Sequence, residues 1–82
     1  MIIPLIYLPD YSTAVIVDIK GGRGFVRRLY EMGLTPGTRI RILKSSGPGP
    51  LLIEVRGSRI ALGRGIGMKI FVRPDYITPS NP

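Results

Sequence analysis

The chain has 82 residues, 44% of them apolar and 21% charged. This is enough for one small globular domain, and it excludes a disordered chain or a multi-domain enzyme. With no cysteine and no histidine, disulfides, thiolate metal sites and imidazole acid–base chemistry are excluded too.

The charge balance is 12 Lys and Arg against 5 Asp and Glu, a net +7. That favours an anionic partner: nucleic acid, an acidic protein face or an anionic membrane surface. The carboxylates Asp10, Asp18, Glu31, Glu54 and Asp75 are scattered without a metal-site spacing. A Ser or Thr nucleophile would lack a histidine base. The expectation is a chain that is not an enzyme, with no catalytic residues, no resident metal and no cofactor.

Residues 1–10 form an apolar leader punctuated by Pro4 and Pro9. The run is far shorter than the ~20 residues of a membrane span and lacks a signal peptide's basic start. We expect a cytoplasmic chain whose leader is an extended arm, packed through Leu5 and Leu8.

Residues 14–20, AVIVDIK, are rich in β-branched side chains and alternate, which predicts a strand. Val15, Val17 and Ile19 are expected on its buried face. Gly21, Gly22 and Gly24 then reverse the chain. Gly22-Arg23-Gly24 before a helix could cradle a phosphate, but it lacks the Lys-Ser/Thr ending of a P-loop and reads better as a tight turn.

Phe25, Leu29 and Met32, with Val26 alongside, recur at helical spacing and predict a short helix over residues 25–32. Gly33 suits its left-handed cap and Leu34 the contact that follows. Thr35-Pro36-Gly37-Thr38 has the signature of a type II turn. Residues 39–43 alternate, with Ile40 and Ile42 inward and Arg39 and Arg41 outward.

SSGPGP at residues 45–50 is a loop. Residues 51–56 are a strand with Leu51, Ile53 and Val55 inward. Gly57-Ser58 is read as a two-residue turn. Residues 59–62 return with Ile60 and Leu62 inward. A bend or a single helical turn at 63–67 leads to a last strand at 69–73, and residues 74–82 are a proline-rich tail. About five short strands in so small a chain predict a mainly β fold closing into a small barrel, in one domain over residues 1–82.

Two stretches together are similar to a known family. GGRGFVRRLYEMGLTPGTRIRIL, residues 21–43, and GPLLIEVRGSRIALGRGIGMKIFV, residues 49–72, resemble the FeoA family in motif order and spacing. The resemblance implies an SH3-like β-barrel with a helix between its first and second strands. It also implies an accessory or regulatory role in ferrous iron uptake, beside the FeoB membrane transporter with its cytosolic guanine-nucleotide-binding domain. The same domain occurs in metal-dependent repressors, but this sequence has no helix-turn-helix segment to bind DNA.

If the chain acts by docking, the helix is the natural surface. Arg27, Arg28, Tyr30 and Glu31 lie off its apolar stripe, with Tyr30 as aromatic anchor, and Arg23 in the turn before it joins them as a candidate. Arg39, Arg41, Arg56 and Arg59 are a second candidate, a basic patch that supports the alternative of a nucleic-acid-binding barrel. The tyrosines are not interleaved with that patch, so the stacking platform of single-strand binders is missing. Phe71 faces away from Ile70 and Val72 and marks a candidate self-association surface.

Overall fold

A computed structural model describes residues 1–75. Its strands are β1 (Ile3–Pro4), β2 (Thr13–Ile19), β3 (Arg39–Lys44), β4 (Leu51–Val55), β5 (Ser58–Leu62) and β6 (Ile70–Pro74). Helix α1 (Arg23–Glu31) follows β2, and the single turn α2 (Arg64–Gly67) precedes β6. A 3-10 turn, Leu5–Tyr7, follows β1.

The strands form one antiparallel sheet in the order β1-β6-β2-β3-β4-β5. The expected count of five strands is corrected to six. The extra strand comes from the leader, where Ile3 faces Val72 and Pro4 faces Phe71. Pro4 is tolerated because β1 is an edge strand. Among the described residues, β1 and β5 end the sheet and do not pair with each other, so no closed barrel forms through hydrogen bonds.

The core is aliphatic. Leu5 and Leu8 of the leader are buried, together with Leu29, Leu34, Ile40, Ile42, Leu51, Ile53, Val55, Leu62, Ile70 and Val72. The alternation of β3 and β4 therefore reads correctly from sequence. That of β2 does not. Ala14 and Ile16 are buried, while Val15 and Val17 are only half-buried. Ile16 faces Val72, but Asp18 faces the very next residue of β6, Phe71. Val17 is the extra residue of a β-bulge, which switches the face and returns Ile19 to the core.

Helix α1 starts at Arg23, two residues before the expected start, with Gly22 as N-cap. Its exit is a Schellman motif. The Leu34 N–H donates to the Leu29 carbonyl at 3.0 Å and the Gly33 N–H to that of Tyr30 at 2.9 Å. Gly33 has φ 92°. This satisfies two of the carbonyls a helix end leaves unpaired, with Leu29 and Leu34 both buried beside them. Met32, expected on the apolar face, is the C-cap and is exposed.

The type II turn forms as expected, with Gly37 at φ 92° and a 3.0 Å bond from the Thr38 N–H to the Thr35 carbonyl. The β4–β5 turn is shifted by one residue. Val55 faces Ser58, so the two loop residues are Arg56 and Gly57, at φ 51° and 81°. Positive φ at both central positions is the type I′ pattern, whose twist matches that of the strands. Pro74, expected to start the tail, still pairs with Ala14, and the Asp75 N–H donates to the Thr13 carbonyl at 3.0 Å. The rest of the expected tail lies outside the described residues.

Candidate functional site

Helix α1 carries two stripes. Phe25, Val26 and Leu29 pack toward the core, with Leu29 fully buried. Arg23, Val26, Arg27 and Tyr30, at helical spacings of 0, 3, 4 and 7, line an open cleft of about 370 Å³ together with Gly21. Of the residues proposed from sequence for docking, Arg23, Arg27 and Tyr30 are thus brought together. Arg28 and Glu31 are exposed on the same helix but do not line the cleft.

The cleft's shape follows from local packing. The Phe25 ring lies directly against Gly21, where any Cβ would collide with it. Lys69 Nζ sits 5.2 Å from the centroid of the same ring, a cation–π contact. Tyr30 remains 43% exposed, enough to offer its ring to a partner. Among the described residues, ion pairs within 4 Å are formed by Lys20 with Asp18 and by Arg39 with Asp75. Among these residues the arginines of α1 have no such carboxylate. The site is therefore an apolar floor flanked by two arginines that form no ion pair among the described residues.

A second concavity, of about 610 Å³, opens on the sheet's outer side. It is lined by Thr13, the turn Thr35, Pro36, Gly37 and Thr38, by Arg39, Ile40 and Arg41 of β3, and by Glu54, Arg56 and Gly57. Pairing register places Thr13, Arg41, Glu54 and Arg59 in one cross-strand row. Arg39, Arg41 and Arg56 of the expected basic patch thus share a groove. Arg59 stands beside it in the row but outside its lining.

Phe71 is half-buried on β6, with Pro4 facing it from β1 and Asp18 from β2. It lies between two strands rather than at a sheet edge. Tyr76 lies outside the described residues. Among the described residues, no three His, Cys, Asp or Glu side chains gather where they could hold a metal ion. No described helix is long and apolar enough to cross a membrane.

Sequence reasoning missed a polar network behind the loop at residues 45–50. Ser45 is buried and its hydroxyl donates to the Leu8 carbonyl at 2.5 Å. Asp10 accepts the backbone N–H groups of Ser45 and Ser46. Arg64 Nη1 donates to the carbonyls of Ser45 and Gly47, each at 3.1 Å. No local spacing announces partners so far apart in the chain.

The model of the FeoA domain matches residues 3–74 of this sequence. The chain belongs to the FeoA family. A protein of Methanocaldococcus jannaschii named "Putative Fe(2+) transport protein A" is 35% identical over 69 residues, covering 84% of this chain and 83% of that one. A crystal structure described as an iron uptake regulatory protein (FeoA) superposes with TM-score 0.84 at 38% identity, covering 90% of this chain and 99% of that one. The T. acidophilum IdeR structure superposes with TM-score 0.79 at 29% identity over 90% of this chain, but over only 34% of its own length. The six-stranded sheet with its helix is thus the FeoA, SH3-like fold. In this FeoA-family chain the cleft beside α1 is built within the first of the two stretches that carry the family's motifs, residues 21–43.

Proposed function

We propose that this chain is an accessory protein of ferrous iron uptake that acts by docking to the cytosolic part of a FeoB-type transporter, through the cleft beside α1. Family membership and the iron-transport name of the archaeal relative support the transport role. The observation that carries the docking surface is the cleft itself: Val26 and Tyr30 supply an apolar contact, and Arg23 and Arg27 a positive rim that forms no ion pair among the described residues. An exposed aromatic beside arginines is the composition of an interface hot spot. Rim charges steer an acidic partner and fix its orientation. The chemistry available argues against catalysis, since the chain has neither histidine nor cysteine.

Calorimetry with the cytosolic domain of the transporter from the same organism, with and without guanine nucleotide, tests this. Saturable binding is expected, weakened about tenfold or more by Arg23→Glu with Arg27→Glu, which corresponds to about 1.4 kcal/mol. Both side chains are exposed, so the melting midpoint should hold. Absence of binding at tens of micromolar, or unchanged affinity in the double variant, would overturn the proposal.

A further inference from the structure

We propose that the outer-face groove is a second recognition site, separate from the α1 cleft, and that it takes an extended, carboxylate-rich polypeptide segment of a partner protein. Arg39, Arg41 and Arg56 form its basic wall and Glu54 its single acidic member. Arg39 and Arg41 project from the same face of β3, about 7 Å apart as alternate residues of a strand are. Alternate side chains of an extended peptide repeat at that same spacing, so two carboxylates two residues apart match the two guanidinium groups, with the one at Arg39 competing with Asp75.

The wall already shows its preference. Asp75 Oδ2, beside the groove, lies 3.0 Å from Arg39 Nη1, an ion pair by distance that lacks hydrogen-bond geometry. Arg41 and Arg56 have no carboxylate within 4 Å among the described residues. At the groove's base the Thr35 and Thr38 hydroxyls lie 2.9 Å apart. One O–H is used in that bond, which leaves the other hydroxyl's hydrogen to donate to a bound carboxylate.

Arg56 gives an independent indication. Its φ of 51° is in the left-handed region, at a type I′ turn position that Asn or Gly fills without strain. A long, branched cation held there against its own backbone preference is a feature expected of a functional position. Arg56 is one of the groove's lining residues.

A nucleic acid fits this groove less well than an acidic peptide. No aromatic residue lines it, so bases have nothing to stack on. Glu54 faces Arg41 across the strands and repels carboxylates and phosphates alike, so the choice between them rests on the missing stacking surface.

The test is fluorescence anisotropy with a dye-labelled octaglutamate peptide and, in parallel, a labelled eight-nucleotide single-stranded DNA, at physiological salt. Wild type should bind the peptide saturably. Arg41→Ala with Arg56→Asn should weaken binding about tenfold or more. Lys20→Ala with Lys44→Ala removes the same net charge from exposed positions outside both the groove and the α1 cleft, and should leave peptide affinity within about twofold. Arg56→Asn alone should weaken the peptide yet raise the melting midpoint by about 4 °C or more, because the turn strain is relieved. The proposal is overturned by no saturable binding, or by equal losses in both double variants, which would indicate net charge alone. It is also overturned if the oligonucleotide binds as tightly and depends on the same arginines, which would make the groove a phosphate site.

Discussion

Asp10 Oδ1 accepts the backbone N–H of Ser45 at 2.7 Å across 35 residues of sequence, tying the leader to the loop after β3. The same carboxylate accepts the Ser46 hydroxyl at 2.9 Å and the Ser46 N–H at 3.2 Å, and the Ser45 hydroxyl, whose single hydrogen is shared with the Leu8 carbonyl, lies 3.1 Å away. These donors, the Ser45 N–H first among them, hold the Asp10 carboxyl below its ordinary value of 3.8. A carboxyl with a lowered folded-state pKa adds stability above its unfolded value, and that contribution is lost as pH falls through the folded value. Wild type should therefore lose melting temperature below about pH 4, and Asp10→Asn should flatten that decline. Asp18 is shifted the same way, by Lys20 first and then by the Ile19 N–H, so the variant lacking both carboxylates should have the flattest profile. Thermal melts over an acid pH series decide it, and coincident profiles for wild type and Asp10→Asn would refute it.

Arg64 closes the same loop from the other side. Its Nη1 reaches the carbonyls of Ser45, Gly47 and Gly49, the last at 3.4 Å. Arg64→Met keeps much of the apolar stem and removes the donors. Two of the three bonds are exposed, so a loss near the low end of the roughly 1.5–3 kcal/mol range for charged hydrogen bonds is expected. Amide exchange should quicken in the loop of residues 45–50 while the β4–β5 hairpin stays protected. Unchanged exchange throughout that loop would show that Arg64 does not hold it.

The Schellman exit of α1 rests on one glycine. At φ 92° a Cβ on Gly33 pays the steric cost of the left-handed region, about 1–2 kcal/mol. Space is not the limiting factor, since the nearest atom to such a Cβ is Val55 Cγ1 at 3.8 Å. Gly33→Ala should therefore destabilise by that amount in urea denaturation, and Gly33→Asn by less, because asparagine tolerates this conformation better. Equal losses for both variants would point to packing rather than backbone conformation.

What was legible in the sequence was local. Gly33-Leu34 and Pro36-Gly37 announce their turns through residue type alone, and Ile40 and Ile42 alternate with arginines up to the register shift between Ile42 and Lys44. The misread parts depend on pairing partners distant in sequence. The Val17 bulge appears only when β2 is laid against β6, and the β1 strand only when Ile3 meets Val72. The hairpin turn was misplaced by one residue because Arg56 carries a positive φ that its residue type disfavours. The same limit applies to the candidate sites. Helical spacing could place Arg23, Arg27 and Tyr30 on one face, but the groove joining Arg41 to Arg56 depends on the register of β3 against β4.

Gly67 tests whether a residue that looks like a helix weakness is a packing requirement. It is buried in α2, where alanine would gain up to about 1 kcal/mol in helix propensity. A Cβ there would overlap Leu51 Cδ1 and lie 3.4 Å from Ile6 Cβ. Leu51 is fully buried and cannot swing into solvent. Overpacking a closed core costs about 1–3 kcal/mol, so Gly67→Ala should be destabilising despite the better propensity. Gly65, in the same turn, has no atom within 4 Å of such a Cβ. Gly65→Ala should be neutral or stabilising by about 0.4–1 kcal/mol. Chemical denaturation of the two variants separates the effects, because propensity acts alike on both and only Gly67 faces the core. Matching shifts of the same sign would show that Leu51 yields and that Gly67 is not required for packing.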